Sequence, residues 1–404
     1  VRLLLTLDHW GLIGGSERYA GLIAAALAAR GHTVAVLAGA EREPRLSLPR
    51  GARLLVHAAY SDGAAPAAAL DAMVAAGRDF RPDVVLVLAC FVGRTFEALG
   101  RIGPLVRFVQ DHTLFCPSLN KIERDGSNCT RPLGLVCLER YFLSGGCSCF
   151  QQSGRVRPWI EGVGEFRKKL AEFQRAKSVQ RLVVASRYMQ RELVAAGDLP
   201  LHVAVIPYFV PDAAPASPPP RERVGQDPLI LCPARLVLPD KGLDVLLEAL
   251  ARVSLPFRAE IPGEGPARPW LEARARALGL GGRVHFPGWL SAERLAQRYR
   301  EARVVAFPST WQEPFGLIGI EAGAHGKPVV AFDVGGVSEW LDPSNGFLHA
   351  RGDVAGFAES LSRLCGDAEL ALRLGIRGRE RAQREFSEEA HLTRLEAVLS
   401  SAAR

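Results

Sequence analysis

Short apolar runs alternate with amphipathic stretches along this chain, and the alternation holds from one end to the other. In the first half, Arg2–Leu7, Thr33–Leu37, Arg53–His57, Val84–Leu88 and Val106–Val109 read as strands. Most of these runs are too continuously apolar for one wet face, as in parallel strands covered on both sides. Helical periodicity fills the gaps: Ser16–Ala29, closed by Gly31, then stretches near Ala67–Arg78 and Arg94–Ile102. A basic helix over about Glu161–Arg175 follows, then a strand at Leu182–Ala185, a helix from Arg187 and a strand at Val203–Ile206. Strands separated by helices predict an α/β domain with a doubly wound parallel sheet.

Prolines at 211, 215, 218, 219, 220 and 228 interrupt the pattern with little that could pack, which predicts a semi-rigid linker. Beyond it the architecture repeats without sequence repetition. Strands are predicted at Leu229–Cys232, Arg258–Ile261, Val284–Phe286, Val304–Phe307 and Val329–Phe332, and the chain is helical from Ala368 onward. The expected organisation is a domain over 1–210, a linker over 211–228, a second domain over 229–386 and a closing helix over 387–404. A chain of 404 residues, 48% hydrophobic, can bury two ordinary cores. No apolar run approaches the roughly 18 residues a bilayer span requires. With no secretory signal ahead of the first strand, the expectation is a cytoplasmic protein.

The net charge of +7 is concentrated rather than spread. Between Arg155 and Arg191 stand ten Lys/Arg against three acids, so the remainder of the chain is neutral on balance. Such a segment suits an anionic acceptor or peripheral contact with an anionic membrane at its inner face, and equally a solvated helix face. No nucleic-acid module accompanies it, so nucleic acid is not expected as a partner. Five of the eight cysteines (Cys116, Cys129, Cys137, Cys147 and Cys149) cluster in one excursion. They could form a structural zinc site, although Cys-x-x-Cys pairs are missing; ordinary reduced thiols are the other reading.

Candidate chemistry concentrates between Ala302 and Asp333. A helix is predicted to open near Phe315, with Pro314 suited to its first turn and Glu313 just ahead of it. Glu321 follows two turns later among Ala322, Gly323 and Ala324. A carboxylate has two acceptor oxygens and matches a vicinal diol such as a ribose or hexose. Glu313 could equally be a helix-capping acid, and Glu321 a buried ion-pair member. Arg235 follows the first strand of the second half and Lys241 lies in the same loop. Two such cations can straddle a pyrophosphate and neutralise the charge on its departure; a solvated turn is the plainer alternative. In the first half, Gly14-Gly15-Ser16-Glu17 follows a strand and opens a helix, so backbone can approach a phosphate closely. No Gly-x-Gly-x-x-Gly follows a strand, which disfavours a dinucleotide oxidoreductase, and no Asp-x-Asp pair occurs.

Glu313-Pro-Phe-Gly316, Glu321-Ala, Gly326-Lys-Pro-Val-Val330 and Gly335-Gly-Val-Ser-Glu339 together resemble the donor site of retaining glycosyltransferases of family 4. The likeness runs nearly without gaps from Arg303 to Phe347. It implies the GT-B fold, two Rossmann-like domains facing across a cleft with the last helix crossing back to the first. It also implies transfer of a hexose from a nucleotide-diphosphate sugar to a hydroxyl, with retention, on a glycan or lipid-linked acceptor. By that resemblance Glu321 holds the ribose and Glu313 the transferred sugar. Phe315, Gly316 and Leu317 line the donor. Pro233–Asp244 looks like the diphosphate loop, with Arg235 and Lys241 doing the electrostatic work and no metal or other cofactor required for catalysis. Gly263 resembles a turn lining the site, Leu290 falls in the segment that meets the base, and Gly15 is placed across from the cations. One departure stands out. Where many members carry His-Asp, this chain has Gln110-Asp111-His112, so Asp111 or His112 is expected to orient a substrate, or Asp111 simply to cap the turn. Two further readings fit the same residues: a GT-B nucleotide-sugar epimerase and a catalytically silent nucleotide-sugar-binding partner.

Overall fold

The computed structural model describes residues 1–404 apart from 12–13, 91, 117–120, 124–126, 128, 143–158, 177–178, 198–202, 212–226 and 404. Two compact units emerge. One comprises Val1–Pro207 together with His391–Arg404, and the other is Tyr208–Ala390.

The N-terminal unit is built on seven parallel strands: β1 (Arg2–Trp10), β2 (Thr33–Glu41), β3 (Arg53–Val56), β4 (Val84–Val87), β5 (Leu105–Val109), β6 (Arg181–Val184) and β7 (Val203–Val205). They lie in the order β3-β2-β1-β4-β5-β6-β7. β1 and β2 run further than the apolar pattern predicts, because their ladder continues to the pair Trp10–Glu41. The polar pair Asp8-His9 looks like the start of a loop in sequence. Asp8 is nevertheless buried in the strand, where its carboxylate accepts from the Ser61 hydroxyl at 2.8 Å. One face of the sheet packs Leu4, Val85, Val87, Leu182 and Val184 among Met73, Phe96 and Leu193 from the covering helices.

The last helix, Glu388–Ala402, adds Leu392, Leu395 and Leu399 to the buried residues. His391 is held by two bonds inside the N-terminal unit. Its Nδ1 donates to the Pro207 carbonyl at 2.7 Å and its Nε2 accepts from the Tyr19 hydroxyl at 2.9 Å.

The C-terminal unit has six parallel strands: β8 (Leu229–Leu231), β9 (Arg258–Glu260), β10 (Val284–His285), β11 (Val304–Phe307), β12 (Val329–Phe332) and β13 (Gly346–His349), in the order β10-β9-β8-β11-β12-β13. β13 escapes the sequence pattern because Gly346-Phe-Leu-His349 is a short edge strand only partly covered. Strand order reverses between β8 and β11. At such a switch point the loops leaving two adjacent strands diverge to opposite sides and open a crevice beyond their carboxyl ends. Here those loops are the ones carrying Arg235–Lys241 and Ser309–Glu313.

Candidate active site in the C-terminal unit

Leaving β8, the chain passes Arg235 and reaches Asp240-Lys241-Gly242 before the helix Leu243–Arg252. Leaving β11, it passes Ser309, Thr310 and Trp311 to Glu313. The two loops are stapled together. The Asp240 carbonyl accepts from the backbone N–H of Thr310 and of Trp311, both at 3.1 Å. Gly242 makes the closeness possible: its φ is +59°, and a Cβ there would stand 2.0 Å from the Pro308 carbonyl oxygen.

This stapling brings Lys241 and Glu313 into direct contact. Lys241 Nζ lies 2.6 Å from Glu313 Oε1, with side chains 17% and 7% exposed. The Ser309 hydroxyl is 2.7 Å from the same oxygen, with the Asp240 carbonyl as an alternative acceptor at 3.1 Å. Among the described residues no hydrogen bond reaches Glu313 Oε2, so one oxygen is fixed and the other remains available to a hydroxyl. Lys241 Nζ also sits 5.0 Å from the centroid of the Trp311 ring. Burial raises the pKa of Asp240; Lys241 and Arg235 pull it back and Glu313 adds to the rise, so these four charges share one neighbourhood. Arg235 itself is exposed. Two cations beside two acids, one of them with an uncommitted oxygen, suit a ligand that pairs an anion with a polyol.

The helix carrying Glu321 opens at Leu317, not near Phe315, and the reading of Pro314 as a first-turn residue is corrected. Gly316 adopts φ +101° and turns the chain before any helical bond forms, so Glu313 and Pro314 lie outside the helix in a buried turn. The Glu313 carbonyl accepts from the Gly336 N–H at 2.8 Å, and Gln312 Oε1 accepts from the Gly335 N–H at 3.1 Å. Phe315 is a packing residue: its ring meets Tyr208 and Phe386 edge-on, and its carbonyl accepts from Trp340 Nε1 at 2.6 Å.

Glu321 is buried on the helix Leu317–Ala324, with Oε2 accepting from the Tyr299 hydroxyl at 3.0 Å. Tyr299 stacks on His325 with ring centroids 5.0 Å apart, and His325 Nδ1 donates to the Glu321 carbonyl at 2.9 Å. The ring, the imidazole and the carboxylate thus fix one another. Gly263 follows β9 with φ +142°, its Cβ position 1.9 Å from the Ala234 carbonyl oxygen. Its N–H donates to Gly288 at 2.9 Å, tying the turn to the loop of Trp289 and Leu290. Arg235, Lys241, Gly263 and Glu313 therefore gather around the ends of β8, β9 and β11.

The N-terminal candidates are placed differently. Gly15 is exposed at the start of the helix Gly15–Ala29, whose N-cap Gly14 supplies no side-chain bond. Asp111 caps its own turn, accepting from the Thr113 N–H at 2.9 Å. His112 is fully buried, its Nε2 2.9 Å from the Tyr188 hydroxyl, and burial aided by Lys121 pushes its pKa down to about 3. It is a core imidazole, poorly suited to exchanging protons with a substrate. Cys116, Cys129 and Cys137 form no disulfide, and burial raises the thiol pKa of the last two. Cys147 and Cys149 lie outside the described residues. Among the described residues no group of three His, Cys, Asp or Glu is arranged to hold a metal, and no helix is long and apolar enough to cross a membrane. Of the basic segment, Arg155, Arg157 and Lys177 lie outside the described residues, while Arg175 is paired with Glu97 at 2.5 Å.

Sequence reasoning missed Ser309, Trp311 and Tyr299. For Ser309 a signal existed: a small hydroxyl residue just past the end of a buried strand and four positions before an acid. Tyr299 carries no local sign of its bond to Glu321.

Residues 227–367 match the protein family described as glycosyl transferases, group 1, a stretch that holds every C-terminal candidate above. A D-inositol 3-phosphate glycosyltransferase of Xylanimonas cellulosilytica is 40% identical over 185 residues, 44% of this chain and 44% of the relative. The lipopolysaccharide core biosynthesis glycosyltransferase LpsE of Rhizobium meliloti is 34% identical over 165 residues, 40% of this chain and 47% of the relative. The match thus spans less than half the length of each relative. Likeness in structure extends further. Sucrose-phosphate synthase of Thermosynechococcus elongatus superposes with a TM-score of 0.73 at 20% identity, covering 99% of this chain and 98% of that one. HepE of Anabaena, solved in complex with UDP, gives 0.69 at 20% identity over 99% and 100%. The two parallel-sheet units and these neighbours together identify the fold as GT-B.

Proposed function

We propose that this chain is a retaining glycosyltransferase of family 4, transferring a hexose from a nucleotide-diphosphate sugar to a hydroxyl of a bacterial glycan or glycolipid. The observation that carries this reading is the Lys241–Glu313 contact at the β8–β11 switch point, inside the stretch that matches the group 1 family. HepE is solved with UDP and with UDP-glucose, which supports a nucleotide-sugar donor. Lys241 and Arg235 neutralise the diphosphate as it leaves, in a partly buried place where charge interactions are stronger than in water. Glu313 offers Oε2 to a hydroxyl of the transferred ring, while Glu321, oriented by Tyr299, accepts from the ribose diol.

By the family resemblance no enzyme nucleophile acts, and Glu313 Oε1 is held by an ammonium and a hydroxyl for binding. In that reading the departing phosphate oxygen takes the acceptor proton on the face where the new bond forms, and configuration is kept. Gly15 offers its backbone to a phosphate, and the cationic charge between Arg155 and Arg191 favours an acceptor at an anionic membrane surface.

The test is a thermal-shift panel of nucleoside diphosphates and their sugars with and without EDTA, followed by transfer assays on Lys241→Met and Glu313→Gln. At least one donor should stabilise the chain regardless of chelator, and both variants should lose transfer while still unfolding cooperatively, with some fall in melting temperature where Lys241→Met leaves Glu313 without its cation. Donor turnover that needs no acceptor would point to epimerisation instead. Near-wild-type transfer by either variant would end the assignment.

A further inference from the structure

We propose that Trp311 is a positioning residue for Lys241, its indole holding the ammonium where the diphosphate of a bound nucleotide meets it. The inference rests on the donor-binding reading above and adds a residue that the motifs do not contain. Lysine is a flexible point charge, and a side chain with four rotatable bonds loses much freedom when confined. Confinement here comes from two sides. Glu313 Oε1 takes the ammonium at 2.6 Å, and the Trp311 ring centroid faces it at 5.0 Å.

The negative face of an indole attracts a cation more strongly than other side-chain rings do, and it displaces water from that side. The backbone that carries the ring is itself anchored, because the main-chain N–H of Trp311 donates to the Asp240 carbonyl on the loop that carries Lys241. Any shift of that loop therefore carries the ring along with the lysine. An ammonium has three N–H groups. Among the described residues only Glu313 accepts from it, so donors remain for anionic oxygens. Trp311 thus acts through Lys241, and its influence is confined to ligands that reach the lysine.

The test uses the full chain and calorimetric titration with UDP, GDP and ADP, taking the tightest binder forward with its monophosphate as control. Trp311→Leu should weaken the diphosphate about five-fold, ~1 kcal/mol at 1.4 kcal/mol per tenfold, and leave the monophosphate unchanged. Trp311→Phe, keeping a ring of weaker cation affinity, should lose only about two-fold. In a Lys241→Met background both Trp311 substitutions should lose their effect, which a purely structural role for the indole would not produce.

Equal losses with and without Lys241, equal losses for mono- and diphosphate, or no loss at all would each overturn the proposal. Should the leucine variant fail to fold, the phenylalanine cycle decides alone. If the wild-type chain binds none of the three diphosphates, the donor reading itself has failed, a result separable from any of these.

Discussion

Acidification should cost the N-terminal unit far more stability than surface titration explains, because His112 and His391 are buried in their neutral forms. Burial, with Lys121 nearby, takes His112 from the ordinary 6.5 down to about 3. Burial and Arg394 take His391 down to about 4 against the opposing pull of the Pro207 carbonyl. In the unfolded chain both imidazoles protonate near the ordinary value. Between that value and the folded one the unfolded chain binds more protons, so stability falls as pH drops from above 6.5 and levels off only below the folded pKa. At about pH 5 each unfolded imidazole is almost wholly charged and neither folded one is, a loss of ~2 kcal/mol per histidine and ~4 kcal/mol for the pair relative to about pH 7.5. That is a large share of the ~5–15 kcal/mol that typical domains possess. Urea unfolding at both pH values, with hydrogen exchange in β1 and β5 to read this unit by itself, measures the loss. A His112→Gln/His391→Gln variant is less stable at neutral pH but should lose ~4 kcal/mol less on acidification. If variant and wild type decline in parallel, the two imidazoles are not buried neutral and the reasoning fails.

Three further outcomes follow from the C-terminal unit. Ser309→Ala removes a hydroxyl from Glu313 Oε1 and should lower kcat/KM for transfer about ten-fold with an unchanged melting temperature, read in steady-state assays. Tyr299→Phe removes the hydroxyl that bonds Glu321 Oε2 and, on the proposed ribose-binding role of Glu321, should raise the donor KM about five-fold while kcat holds. Gly242→Ala forces a Cβ against the Pro308 carbonyl at an unfavourable φ and should destabilise the unit by ~2 kcal/mol or more in denaturant titration.

The alternation of apolar runs and helices revealed both sheets, because strands buried on two faces leave uninterrupted Val/Ile/Leu words. It failed where polar residues occur inside a strand, as at Asp8-His9, and where an edge strand is only half covered, as at Gly346–His349. Lys241 and Glu313 were legible as candidates because they follow predicted strands and sit in distinctive motifs. Their mutual contact was not, since it depends on how two loops 70-odd residues apart are stapled through the Asp240 carbonyl. The helix start was misjudged because Pro314 fits a first turn equally well whether or not Gly316 then reverses the chain. Tyr299 and Trp311 escaped for a related reason: an aromatic residue in a helix or turn looks like core until its neighbour across the fold is known.

The division of the chain into Val1–Pro207 with His391–Arg404 on one side, and Tyr208–Ala390 on the other, bears on how the protein is made. During synthesis the second unit emerges as one uninterrupted stretch and can close as soon as it leaves the ribosome. The first begins earlier yet waits for the stretch His391–Arg404 to supply Leu392, Leu395 and Leu399. The portion translated first is therefore completed after the second unit, and a chain interrupted before His391 would leave it with an open seam.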